Sequence, residues 1–177
     1  EGQYMEMDEK DEEMKDDGES IAKNWSIGKV YGPDASNQFI FHELGTELVE
    51  AALDGYNAVI FAYGQTSSGK TYTLFGNEDS MGLVDHALHH LQDCVSQQEN
   101  KEFCIKLAYI ELYNEEIRDL LAEKPSTHEL KIIEDPAVGP SVHKVTEQPF
   151  LTADAAKAYL KAGETRRHFG VTNMNSH

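Results

Sequence analysis

Cysteine is nearly absent from this 177-residue chain: Cys94 and Cys104 are its only two, and neither has C-x-x-C or zinc-ligand spacing. Neither a disulfide framework nor a structural metal is implied, and both thiols are expected as reduced core residues. No run approaches the roughly 18 consecutive apolar residues that a spanning helix needs, and the acidic N-terminal stretch does not read as a secretory signal. Positive charge is scarce too. Lys and Arg number 15 against 32 Asp and Glu, for a formal net charge of -17 and a pI near 4.7. Nucleic acids and anionic membranes reward clustered Lys and Arg, so neither is expected as a direct partner. No internal repeat is visible.

The charge is concentrated at one end. Residues 1–20 carry ten acidic residues and two lysines, with hardly any apolar periodicity, and residues 1–23 are expected to form a solvated, disordered tail. Beyond it, Trp25-Ser26-Ile27 and Phe39-Ile40-Phe41 are β-prone pieces around the turn-rich Tyr31-Gly32-Pro33-Asp34, a possible hairpin. From Glu43, Leu44, Leu48, Val49, Ala52 and Leu53 recur at helical spacing, and Gly55 supplies a stop. Ala58 to Tyr63 is apolar at every position, as a strand covered by helices on both faces requires.

A helix is expected to begin at Lys70 and break at Gly76, and another to run from about Leu83 to Val95. On the latter, His86 and His90 stand four apart with Cys94 a further turn on, which resembles metal spacing. Cys94 belongs to the apolar stripe and no fourth ligand is suggested, so a core stripe is the expectation. Phe103 to Tyr113 reads as one long strand, Asn114 as a turn, Leu130–Glu134 with Ser141–Val145 as a hairpin, and Thr152 as the cap of a helix ended by Gly163.

The chemistry is carried by Gly64-Gln65-Thr66-Ser67-Ser68-Gly69-Lys70-Thr71, which matches G-x-x-x-x-G-K-S/T in full between an apolar strand and a helix. Glycines let the backbone N–H groups wrap a phosphate, and the helix start adds partial positive charge. Lys70 is expected to reach the β- and γ-phosphate oxygens, and the Thr71 hydroxyl to ligate Mg2+. Turnover also requires a carboxylate holding the metal through water. The closest candidate strand, Leu130-Lys131-Ile132-Ile133-Glu134-Asp135, is a poor one because of its lysine and the proline turn that follows.

Residues Gly55 to Thr73 resemble the P-loop region of the kinesin motor domain almost residue for residue. Tyr109 to Leu121 is similar to the long strand and its sequel after the second kinesin helix. Gly163 to Gly170 with Thr172 to Asn175 resembles the helix end leading into switch I. The resemblance implies an α/β fold, an incomplete P-loop NTPase of kinesin-motor type with a mixed central sheet and flanking helices, covering residues 24–177 and truncated at switch I. A centromere-associated mitotic branch is the suggested subfamily. It implies ATP and Mg2+ as cofactors, with Gly64 to Thr71 on the phosphates and metal and Tyr72 beside the adenine.

The resemblance also implies microtubules as the partner, with tubulin facing the hairpin near His143 and Lys144, and a cytoplasmic, cytoskeletal location that extends to the spindle. Asn175 matches the asparagine that opens switch I. The adenine-side R-x-R-P segment has no counterpart before Trp25, and the family pattern continues past His177 into switch I serines, switch II and the main microtubule-binding helix. The catalytic set is thus expected to be incomplete. The alternative is a nucleotide-binding or interaction protein of the same family that does not hydrolyse. Because the family places the P-loop strand between two strands not found in this sequence, Ala58–Tyr63 is expected to lack ladder partners and the chain to be unstable alone.

Overall fold

A computed structural model describes residues 11–14, 20–23, 27–123, 130–136 and 139–167. Its elements are β1 (Asp11–Met14), β2 (Ser20–Lys23), α1 (Asn37–Ile40), a π-helical turn (Phe41–Gly45), α2 (Thr46–Leu53), α3 (Lys70–Phe75) and α4 (Leu83–Ser96). There follow β3 (Ile105–Leu107), β4 (Ile110–Tyr113), β5 (Glu116–Asp119), β6 (Lys131–Asp135), β7 (Gly139–His143), β8 (Gln148–Phe150) and α5 (Ala153–Glu164). The described strands pair two by two, each antiparallel: β1 with β2, β3 with β8, β4 with β5, and β6 with β7.

The acidic N-terminal stretch differs from the tail expected over residues 1–23, because Asp11–Met14 and Ser20–Lys23 form a short ladder. Backbone N–H and C=O groups pair whatever the charge of the side chains they carry, so composition alone does not forbid it. Of the hairpin expected between Trp25 and Phe41, Trp25 and Ser26 lie outside the described residues, and the second strand is not one. Phe39 and Ile40 belong to α1, which Ser36 caps by accepting from the Phe39 N–H at 3.1 Å, and Phe41 opens the π turn. There the Thr46 hydroxyl donates to the Phe41 and His42 carbonyls at 3.3 and 3.1 Å, while the Phe41 ring lies where a Cβ on Gly45 would stand. Side chain and backbone thus compete for the same carbonyls at this point.

The long strand expected over Phe103–Tyr113 is divided. Ile105 pairs with Phe150 on β8, whereas Ile110 pairs with Asp119 on β5, so the two halves serve different ladders. Asn114 and Glu115, at φ 51 and 64, make the two-residue turn that matches strand twist. Lys131–Asp135 and Gly139–His143 form the expected hairpin one or two residues from the anticipated bounds. In α5, Thr152 caps by accepting from the Ala155 N–H at 3.2 Å. Gly163 does not end that helix. It is buried inside it, where a Cβ would stand 2.5 Å from the Tyr109 ring, so glycine serves close packing rather than termination.

Leu88 on α4, Phe150 on β8, and Ala153 and Ala156 on α5 make the core, with Val84, Leu91, Ile105, Tyr159 and Leu160 packed around them. Alanines at 0–1% exposure let α5 approach α4 closely. Cys94 stands outside this cluster, half-buried, and Cys104 is exposed, so neither is the core thiol that its composition suggests. The spacing of Cys94 follows the stripe, but the residues of α4 packed in this cluster are Val84, Leu88 and Leu91.

Ala58–Tyr63 carries no ladder among the described residues. Ala58 and Ile60 face an apolar cavity of about 330 Å3 walled by Leu48 and Val49 of α2 and by Leu83, Val84 and Leu88 of α4. Val59, Phe61 and Tyr63 alternate with them and are 74%, 80% and 95% exposed. Even on the side toward α2 and α4 Ile60 remains 40% exposed, so the helices do not bury the segment on both faces as its pattern requires.

Candidate nucleotide-binding site

The turn from Gly64 to Gly69 depends on backbone geometry that side chains resist. Gly64 and Gly69 have φ of +155° and +92°, and a Cβ on Gly64 would stand 2.4 Å from the Ser68 hydroxyl oxygen. Ser67 itself has φ 66, and the Ser68 N–H donates to the Gln65 carbonyl at 3.2 Å, tightening the loop. Helix α3 begins at Lys70, with the Thr73 N–H donating to the Gly69 carbonyl at 2.9 Å. Lys70 turns back over the loop and donates to the carbonyls of Gly64 and Gln65 at 2.7 and 2.5 Å. Among the described residues it makes no ion pair with a carboxylate.

Thr66, Ser67, Lys70 and Thr71 line one wall of an open cavity of about 700 Å3, within the range of small-molecule sites. The facing walls come from β4 and the end of α5, including Tyr109, Glu111, Tyr113, Glu164 and Arg167. Here Arg167 lies 3.8 Å from Glu111 and 3.5 Å from Glu164, and Arg118 lies 3.9 Å from Glu111. The Tyr109 hydroxyl donates to Glu164; burial first, and that bond second, push the phenol well above its ordinary range. Sequence reasoning missed Glu111, Glu164 and Arg167, because they lie 40 residues or more from the loop and only the fold brings them to it.

Tyr72 lies outside this cavity, on the other side of α3, with its ring half-exposed. Its backbone carbonyl accepts from the side-chain amide of Asn37 at 3.1 Å, and the same amide donates to the Met81 carbonyl at 3.2 Å. Asn37, 3% exposed, is a further residue that the sequence did not signal. His143 and Lys144 are exposed at the end of β7, where the hairpin was expected to present them. Glu134 stands on an exposed hairpin strand that, among the described residues, pairs with β7 alone, consistent with its being a poor metal-holding element. Asn175 lies outside the described residues.

The family model for the kinesin motor domain matches residues 2–177. The chain belongs to the kinesin motor domain family. The match begins well before residue 24, so the acidic stretch falls within it. Human centromere-associated protein E is 35% identical over 154 residues, 87% of this chain and 6% of that protein. The kinesin-like protein KIN-7L of Oryza sativa subsp. japonica is 39% identical over 152 residues, 86% of this chain and 23% of its own length. A solved structure of the KIF14 dimer in its two-heads-bound state, with AMP-PNP and in complex with a microtubule, superposes with a TM-score of 0.71 at 29% identity. That likeness covers 80% of this chain and 40% of the KIF14 chain, and it shows the kinesin-motor α/β fold. The chain thus spans well under half the length of these relatives.

Proposed function

We propose that this chain is the nucleotide-binding portion of a kinesin motor, taking Mg-ATP on its P-loop, and that the protein to which it belongs couples ATP hydrolysis to movement along microtubules. The observation that carries this reading is Lys70: among the described residues, an ammonium held by neutral carbonyls at the mouth of a large cavity, on a loop whose glycines let backbone N–H groups crowd an anion. Gly64 to Lys70 would hold the phosphates, Thr71 would contribute a hydroxyl to Mg2+, and Tyr72 would flank the base. The bound metal would supply charge neutralisation at the β- and γ-phosphates.

AMP-PNP and a microtubule in the KIF14 structure support the choice of nucleotide and of track. Kinship with centromere-associated protein E supports a place on the cytoskeleton and, more finely, on the spindle. Of this chain's own surface, His143 and Lys144 are the proposed tubulin contacts, against a net charge of -17 that opposes docking on an acidic filament.

The test is phosphate release with and without microtubules. Stimulated turnover in the longer motor, abolished by Lys70→Ala, is expected; turnover unaffected by that change would overturn the reading. A second reading has its own support. Among the described residues no strand pairs with the segment leading into the P-loop to carry a metal-holding carboxylate, which favours binding without hydrolysis.

A further inference from the structure

Helices α2 and α4 pack side by side, and at their exposed seam three groups of different chemistry converge. His90 and Cys94 stand one turn apart on α4, so both project from the same face. Glu50 projects from α2. Its Oε1 lies 3.3 Å from His90 Nε2, Cys94 Sγ lies 3.5 Å from the same nitrogen, and all three atoms fall within 4.8 Å of one another.

Hydrogen bonding satisfies the cluster only in part. With its proton, Nε2 donates to the carboxylate and leaves the cysteine sulfur as a weak second acceptor; without it, Nε2 accepts from the thiol and the carboxylate loses its donor. A cation bonded to all three atoms satisfies all three. Tetrahedral zinc, with bonds of about 2.0–2.2 Å to nitrogen and oxygen and about 2.3 Å to sulfur, sets N and O about 3.4 Å apart and N and S about 3.5 Å apart. Both observed separations from Nε2 match.

We propose that Glu50, His90 and Cys94 bind one zinc ion, through Oε1, Nε2 and Sγ, with a fourth position open to water. The sequence puts Cys94 on the apolar stripe, with His86 and His90 on the other face of the helix and no fourth ligand in view. The structure sends His86 onto the Phe41 ring at 5.7 Å and brings Glu50 from the neighbouring helix in its place. Phe41 meets the His90 ring edge-on at 6.1 Å and fixes its orientation. Thiolate and imidazole select zinc over magnesium, so the site does not compete for the metal of Mg-ATP. Ligation deprotonates the Cys94 thiol, whose proton passes to the buffer, and clamps α2 to α4.

The test is titration of the full chain with Zn2+ against a chromogenic chelator, and with Co2+ followed by absorption. One equivalent is expected, with a thiolate-to-cobalt charge-transfer band. Cys94→Ser removes that band and Cys104→Ser leaves it. Glu50→Gln, at an exposed position that folding does not depend on, weakens Zn2+ binding by about tenfold or more, since even outer-shell partners of metal ligands cost that much. Absence of the band, its survival in Cys94→Ser, its loss in Cys104→Ser, or an unchanged zinc affinity in Glu50→Gln would overturn the proposal.

Discussion

The Lys70 ammonium donates to the carbonyl oxygen of Gly64 at 2.7 Å, closing the P-loop on itself. Carbonyls are neutral acceptors, and a phosphate oxygen is a stronger one because the bond is charge-assisted. The lysine therefore exchanges weak partners for strong ones when nucleotide enters. Replacing Lys70 with Ala removes a contribution of about 1.5–3 kcal/mol, a fall in ATP affinity of roughly 10- to 150-fold. Titration with a fluorescent ATP analogue checks it, and an affinity within twofold of the parent would count against the assignment.

Asn37 ties α1 to the carbonyls of Tyr72 and Met81 from a buried position. Asn37→Ala takes this donor from the Met81 carbonyl, whereas the Tyr72 carbonyl keeps the Gly76 N–H at 2.8 Å, and the expected loss of stability is about 1–3 kcal/mol. The denaturation midpoint in urea should fall without a change in slope. Because the bond anchors Tyr72, nucleotide affinity should weaken in the same variant.

These two contacts mark where the sequence was legible. The loop from Gly64 to Thr71 announces itself because its function demands particular residues at fixed spacing, and the helices around Val49, Leu88 and Ala156 announce themselves through apolar period. Asn37, Glu111 and Arg167 give no local signal, since their roles arise from contacts across 35 residues or more. Phe39–Phe41 was misread because β propensity is a weak preference, which here yields to the Ser36 cap and the packing of Phe41 on His86. The strand pattern of Ala58–Tyr63 was read correctly as apolar on both faces, yet a pattern shows what a segment would bury, not whether the neighbours are there.

Burial against Phe41 lowers the pKa of His86, with Asp85 opposing. A histidine held neutral in the fold contributes stability that is complete above its unfolded value, near 6.5, and lost as pH falls through that value toward the folded one. The unfolding free energy should therefore decline from pH 7 to 5.5, and His86→Gln should flatten that slope. An equal slope in parent and variant would exclude His86 as the cause.

Val59, Phe61 and Tyr63 present an apolar row to solvent, with no ladder partner on the segment among the described residues. Such a row favours self-association and binding of hydrophobic dyes. Phe61→Glu, at a position 80% exposed, should reduce both dye fluorescence and light scattering without loss of helical signal. Unchanged scattering would place the sticky surface elsewhere.

The central claim is that the loop from Gly64 to Thr71 is assembled well enough to take Mg-ATP. A thermal unfolding scan with and without Mg-ATP tests it most directly, because a ligand that binds only the native state adds stability by mass action, about 2.7 kcal/mol at a hundredfold excess over Kd. The account predicts a cooperative transition whose midpoint rises with Mg-ATP concentration and does not move in Lys70→Ala. A midpoint indifferent to Mg-ATP in the parent chain would contradict it.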